Sequence, residues 1–322
     1  MNGKAKIDDR SGALMTKDTP SPACPIKGCT DASWYADAYD IEYYTSDRTY
    51  SFYKCQRCGV LFIVPMLSDR LGEIYPKNYY SYAPQEKSVT SRQRSPDRRL
   101  LKLLSSIPGD RLSVLEIGGG SGWMLDQIKF CSPRVSFTQC IDLDEGAQAH
   151  AITRGHAYHL GPIEQFKTDE RFDLILALGV IEHVADPALV LHCIEGLLKS
   201  HGRALIMTPN FDTLDARLFR HCSWGGYHTP RHFVLFNRQS FTDLAKQSGL
   251  SVLSFSYTRA PAYWTLPVLD ALRRWGLIEI SAHRSAYDHP LYPFLRASFA
   301  ALEFVRAPFA RLSYMVFTLG RP

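Results

Sequence analysis

Residues Val114–Gly122 read V-L-E-I-G-G-G-S-G, and they decide the fold. Val114, Leu115 and Ile117 make a short buried strand, after which Gly118, Gly120 and Gly122 let the backbone turn sharply and approach a ligand before a helix opens near Ser121. A strand, a glycine loop and a helix would also suit a dinucleotide, so the neighbouring residues must discriminate. The position where the third glycine of G-x-G-x-x-G would fall is Trp123, too large for close helix–strand packing. Glu116, at the lip of the loop, would repel a pyrophosphate and suit a ligand carrying an ammonium and a sulfonium.

This E-I-G-G-G-S-G pattern resembles motif I of the class I S-adenosylmethionine-dependent methyltransferases. The resemblance implies that Glu116, Gly118, Gly120 and Gly122 hold the methionyl part of S-adenosylmethionine. An acid ending the second strand should then accept hydrogen bonds from both ribose hydroxyls. Val135–Asp142 (V-S-F-T-Q-C-I-D) supplies Asp142 about 20 residues past the glycines, with Leu143 beside it in the same cofactor-binding set. The competing reading of Asp142 is an N-cap for a helix beginning near Asp144.

With 322 residues the chain can bury a substantial core, and one large domain plus a small module fits it. A net charge of +5 permits anionic partners without pointing to nucleic acid. Met1–Pro22 lacks the apolar stretch of a signal peptide and no later run suits a membrane span, so a cytoplasmic protein is expected. In a reducing compartment the eight cysteines read as metal ligands or core residues. Cys24 and Cys29 (C-P-I-K-G-C) and Cys55 and Cys58 (C-Q-R-C-G) look like the two halves of a zinc ribbon, with a structural zinc closed by four thiolates. Cys131, Cys140, Cys193 and Cys222 are read as packing residues.

The expected domains are a disordered stretch over 1–22, a zinc-ribbon-like module over 23–82, a linker over 83–98 and a methyltransferase domain over 99–322. The fold class is α/β, a seven-stranded Rossmann-like methyltransferase sheet. Strands are expected near Val114–Ile117, Val135–Ile141, Ala157–Leu160, Phe172–Leu178, Ala204–Thr208, Leu250–Tyr257 and Ser313–Leu319, the last running antiparallel as in the resembled family. Ser240–Gln247 reads as a helix capped by Ser240 and stopped by Gly249.

R-F-D-L-I-L-A-L-G-V-I-E-H-V-A-D-P (Arg171–Pro187) carries an E-H-V-x-D-P phrase found in the subgroup that includes ubiquinone-type O-methyltransferases. Within it His183 reads as a support under the cofactor as readily as a proton-transfer group. His221–Phe233 (H-C-S-W-G-G-Y-H-T-P-R-H-F) is a loop with more functional groups than a connector needs, and it resembles a W-G-x-x-x-P-R-H phrase of zinc-ribbon-bearing bacterial methyltransferases. His228 is the expected base or orienter, His232 the second candidate, and Tyr227 and Arg231 are expected to position the acceptor, because a neutral imidazole with a pKa near about 6.5 suits proton removal. Alternatively, Arg231 and His232 tie the loop to the sheet edge.

The expected function is methyl transfer to a small-molecule acceptor such as a sugar, a lipid-linked glycan or a secondary metabolite. An RNA methyltransferase using the ribbon as a grip is the rival, against which the ribbon is more aromatic than basic and a D/N-P-P-Y phrase is absent. A non-catalytic cofactor-binding protein is the third reading. Residues 260–312 exceed a hairpin connection by about 50 residues. Phe294–Leu312 gathers Arg296, Glu303 and Arg306 on one narrow helical face and spreads Leu295, Phe299, Leu302, Phe304 and Val305 over a wide apolar one, with Pro308 ending it. That helix is expected to act as a lid on the domain or to make peripheral membrane contact.

Overall fold

The computed structural model describes residues 21–75, 98–282 and 284–322. Residues 1–20 of the stretch 1–22 expected to be disordered, 76–82 of the expected ribbon module and 83–97 of the expected linker therefore lie outside the described residues.

Near the N-terminus, β1 (Ala32–Ala38), β2 (Tyr50–Cys55) and β3 (Leu61–Val64) form an antiparallel sheet, followed by the short α1 (Leu71–Ile74). The chain resumes with α2 (Arg98–Ser106) and then builds β4 (Leu112–Ile117), α3 (Trp123–Cys131), β5 (Val135–Asp142), α4 (Glu145–Thr153) and β6 (Ala157–Leu160). Next come β7 (Phe172–Leu178), α5 (Pro187–Leu197), β8 (Leu198–Pro209) and α6 (Leu214–Leu218). The remainder is β9 (Val234–Leu235), α7 (Arg238–Gln247), β10 (Ser251–Thr258), α8 (Ala262–Arg274), α9 (Leu291–Arg306) and β11 (Tyr314–Gly320).

The large sheet has seven strands in the order β10-β11-β8-β7-β4-β5-β6. Only β11 runs against its neighbours, pairing antiparallel with both β10 and β8. All seven expected strands are present, and every residue of β4 is buried, as a central parallel strand covered on both faces should be. The order reverses between β4 and β7, which places the glycine loop after β4 at the crevice where open α/β sheets bind ligands.

Several features differ from the sequence reading. The cap of α7 is Asn237, whose side chain accepts from Ser240 N; Ser240 sits three residues in and completes a capping box by accepting from Asn237 N. The N-terminal sheet is not self-contained, because β9, from the loop after β8, pairs with β3 at Leu61↔Leu235 and Phe62↔Val234. Phe52, Phe62, Tyr227, Phe233, Phe241 and Phe317 belong to one continuous apolar core, so the module and the large domain share their interior. Finally, α9 does not bury the whole of its expected apolar face: Leu295 and Phe299 pack inward, but Glu303 is buried with them. Glu303 is buried against Ser313 and Phe299 stacks on Trp264, while Phe294, Phe304 and Val305 face solvent. Cys222 is exposed, so it is not a packing residue, whereas Cys140 is buried.

Candidate active site

The loop after β4 is shaped by contacts that exclude side chains. Gly118 has φ +69° and a Cβ there would lie 2.7 Å from Val180 Cγ2, whereas Gly120 has φ +51° and faces nothing within 4 Å. Gly118 thus gives close approach to the next loop, and Gly120 leaves an open side where a ligand fits. Glu116 is buried at the loop's base, and its Oε2 has no hydrogen-bond partner among the described residues. Burial, and then the charge of Asp142, raises its pKa to about 8. An ammonium placed there would satisfy the orphaned oxygen and restore the carboxylate.

Asp142 ends β5 and faces the same loop. Its Oδ2 accepts from Gly120 N at 2.7 Å and its Oδ1 from Asp144 N at 2.9 Å. Burial outweighs those bonds, so its pKa is raised. The cap of α4 is Asp144, not Asp142, which leaves Asp142 to the loop. Leu143 projects into solvent beside it, more than half exposed, where an apolar ring would cover it. Glu116, Gly120, Asp142 and Leu143 thus gather at the ends of β4 and β5, while Gly118 packs on Val180 and Gly122 on His156.

Beyond Val180 lies a second cluster. Glu182 is fully buried, its Oε2 accepting from Thr208 Oγ1 at 3.1 Å and its Oε1 lying 3.9 Å from His232 Nε2. Burial raises its pKa to about 8. The rings of His183, His228 and His232 pack together, with centroids 4.6 Å apart for His183–His232, 4.8 Å for His228–His232 and 5.8 Å for His183–His228. Burial, and then the charge of His228, lowers His183 to about 3. His232 is likewise held well below its usual range, by burial first and then by its two neighbours. His183 and His232 are therefore neutral imidazoles.

His228 has φ +40°, a left-handed backbone uncommon for any residue but glycine, and strain of this kind gathers at functional sites. Its Nδ1 lies 2.6 Å from Oε1 of Glu42, whose Oε2 accepts from Tyr287 Oη at 2.6 Å. His183 Nδ1 is 3.0 Å from Tyr75 Oη and 3.1 Å from the carbonyl of Arg231. A proton on Nδ1 would serve that carbonyl and leave Nε2 unprotonated, as an acceptor.

The other two loop residues have protein partners. Tyr227 is buried, stacks on Phe52 and donates from its hydroxyl to the Arg220 carbonyl at 3.1 Å. Arg231 is buried against Asp40 at 2.8 Å and also donates to the Thr229 carbonyl. Burial would raise Asp40, but the charge and hydrogen bond of Arg231 prevail and hold it at about 2. The polar groups of Tyr227 and Arg231 thus secure the loop to its surroundings, the arrangement that the alternative reading of Arg231 expects.

Glu42, Tyr75 and Tyr287 were absent from the sequence-derived site. One signal was available for Glu42. Tyr39–Tyr44 reads Y-D-I-E-Y-Y, two carboxylates in an apolar and aromatic setting, where burial demands charged or hydrogen-bonding partners.

At the far end of the N-terminal sheet, Cys24 Sγ and Cys58 Sγ are 3.5 Å apart, as are Cys29 Sγ and Cys55 Sγ. Thiolates about 2.3 Å from a zinc ion stand slightly farther apart than this, and Cys24, Cys55 and Cys58 lie close enough together to share one ion, with Cys29 beside Cys55. The amides of Gly28 and Gly59 donate to the carbonyls of Cys24 and Cys55, tightening each turn around its cysteines.

The sequence pattern of the family described as "Methyltransferase domain" matches residues 89–254, just over half of the chain. The chain belongs to that family. Its core is a class I S-adenosylmethionine-dependent methyltransferase domain. Among curated relatives, the ubiquinone biosynthesis O-methyltransferase of Rhodopseudomonas palustris (strain HaA2) is 33% identical over 121 residues, 35% of this chain and 45% of the relative. The protein of the same description from Bradyrhizobium diazoefficiens is 30% identical over 107 residues, 31% of this chain and 40% of the relative. The matched stretch spans less than half the length of these relatives. Among solved structures, N-methyltransferase NodS from Bradyrhizobium japonicum WM9 in complex with S-adenosyl-L-homocysteine aligns over 78% of this chain and 96% of its own, at 14% identity and TM-score 0.43.

No helix among the described residues is long and apolar enough to cross a membrane.

Proposed function

We propose that this methyltransferase transfers the methyl group of S-adenosylmethionine to a small-molecule acceptor, a sugar, a lipid-linked glycan or a secondary metabolite, bound beside the histidine cluster. The observation that carries the reading is the contact between the two sites: the loop that would hold the cofactor touches Val180, and Glu182 and His183 follow two and three residues later. Methyl transfer is an in-line displacement at a carbon activated by positive sulfur, so holding the partners in line supplies much of the acceleration. The cofactor supplies the electrophilic methyl group; the rest falls to the chain.

Glu116 would receive the ammonium, Asp142 and Leu143 would hold the ribose and the base, and Gly120 would leave room for the approach. A hydroxyl, amine or carbon acceptor must also lose a proton. His228 is the proposed base, with Glu42 accepting from Nδ1–H, fixing the tautomer and stabilising the imidazolium as it forms. His232 lies next to it as a neutral partner. A structural zinc on Cys24, Cys29, Cys55 and Cys58 would fasten the module that delivers Glu42 and Tyr75.

The test is transfer of labelled methyl from S-adenosylmethionine into fractionated small molecules of a cell extract, with wild type and His228→Ala compared. Cofactor binding without label in any fraction would favour a non-catalytic cofactor protein instead.

A further inference from the structure

The region between β10 and β11 carries an apolar surface that the proposed chemistry does not use. The helix α9 buries Glu303 and half-buries Arg306, leaving Arg296 exposed. Glu303 accepts from Ser313 Oγ at 3.1 Å, and Arg306 lies over the Trp264 ring at 5.1 Å. Phe299 stacks on Trp264 and Leu295 packs on the cluster of Leu266, Leu269 and Ile280. What remains outside is Phe294 at 72% exposure, Phe304 at 68%, Val305 at 71% and, just past the helix, Phe309 at 93%. At 100° per residue Phe294, Ala301, Phe304 and Val305 share one face. At the tip of α8, Trp275 and Leu277 are also mostly exposed. A helix that turns Phe294, Phe304 and Val305 outward while hiding its only carboxylate is built to meet something apolar.

The charges around this face decide between occupants. Arg259 stands over the Phe304 ring at 5.6 Å, Arg274 adjoins Trp275, and Arg311 follows Phe309 and pairs with Asp212. The exposed carboxylates of the region, Glu279 and Asp288, lie outside α9. A second copy docking on the same face would bring arginines against arginines. An anionic lipid surface complements both properties, taking the aromatic and aliphatic side chains at the acyl boundary and the arginines at headgroup level.

We infer that the exposed face of α9, with the α8 tip, is a docking surface for an anionic membrane. The inference deepens the small-molecule reading by favouring a lipid-linked acceptor. The helix lies in the surface and does not cross it.

The experiment is flotation of the full chain with vesicles of phosphatidylethanolamine containing phosphatidylglycerol, and with phosphatidylcholine vesicles, at low and high salt. Wild type should float with the anionic vesicles and be released by salt. A Phe304→Ser, Val305→Ser double variant should partition about tenfold less or weaker still, both side chains being exposed already. Arg259→Glu should weaken anionic binding alone. Calorimetry of cofactor binding on the same variants should be unchanged, so a failed flotation speaks against the surface and not against methyl transfer. Wild type remaining with the soluble fraction, equal flotation with both vesicle types, or a dimer in sedimentation velocity that Phe304→Ser dissolves would each overturn the inference.

Discussion

Glu42 and His228 are 186 positions apart in the chain and meet at 2.6 Å through Oε1 and Nδ1. One comes from the cysteine-bearing module and the other from the loop beyond β8, so the proposed base is completed by a residue outside the family-matched stretch of 89–254.

That pairing predicts how two variants differ. His228→Ala should lower turnover by about a hundredfold while leaving cofactor affinity nearly intact. Glu42→Gln keeps a hydrogen-bond acceptor for Nδ1–H but removes the charge that favours the imidazolium, so its rate should fall and the acidic limb of its pH–rate profile should move to lower pH. Steady-state rates across pH test both; an unmoved profile in Glu42→Gln would make Glu42 a packing residue.

For the cofactor, Asp142→Ala should weaken S-adenosylmethionine binding by about tenfold or more, because hydrogen bonds to a charged acceptor contribute about 1.5–3 kcal/mol. The same change removes the tether to Gly120 N. Titration calorimetry measures it, and an unchanged affinity would reject the ribose assignment.

Cofactor affinity should also depend on pH through Glu116. Its folded-state pKa, about 8, lies above that of a free carboxyl, so the stabilising protonated form prevails at low pH and that stability is lost as pH rises through about 8. A cationic ligand needs the carboxylate and must displace the proton. Affinity should therefore climb by about tenfold per pH unit below 8 and level off above it. Binding should release a proton, detectable as a buffer-dependent enthalpy. Glu116→Gln should bind more weakly and abolish the pH dependence, with Glu182 still in place as the control.

Purified protein should contain one zinc per chain, as elemental analysis would show. Cys55→Ser should lose it and melt at lower temperature, since metal affinity in such modules is folding free energy. Retention of full metal content would refute the four-cysteine assignment.

The sheet was legible in the sequence because its central strands β4 and β7 are buried apolar runs followed by glycines, a local signal. The proposed cofactor residues were placed for the same reason, since Glu116 through Gly122 and Asp142 occupy consecutive strand ends. The histidine cluster was visible only as a dense loop. Its partners Glu42, Tyr75 and Tyr287 arrive from three distant segments, and no periodicity records such a meeting. The orientation of α9 was misleading for a related reason: a helical pattern shows which residues share a face but not which face turns inward, and here Glu303 and Arg306 turn to Ser313 and Trp264.

The two-residue strand β9 stitches the cysteine module to the large sheet's own loop, immediately after the segment that carries His228 and His232. A graft of the family-matched stretch onto another protein would leave β9 with an unsatisfied edge and the histidines without Glu42. Substrate preference in this protein should therefore pass between relatives only when both parts move together, and recombination between them should fall outside the span from β1 to β9.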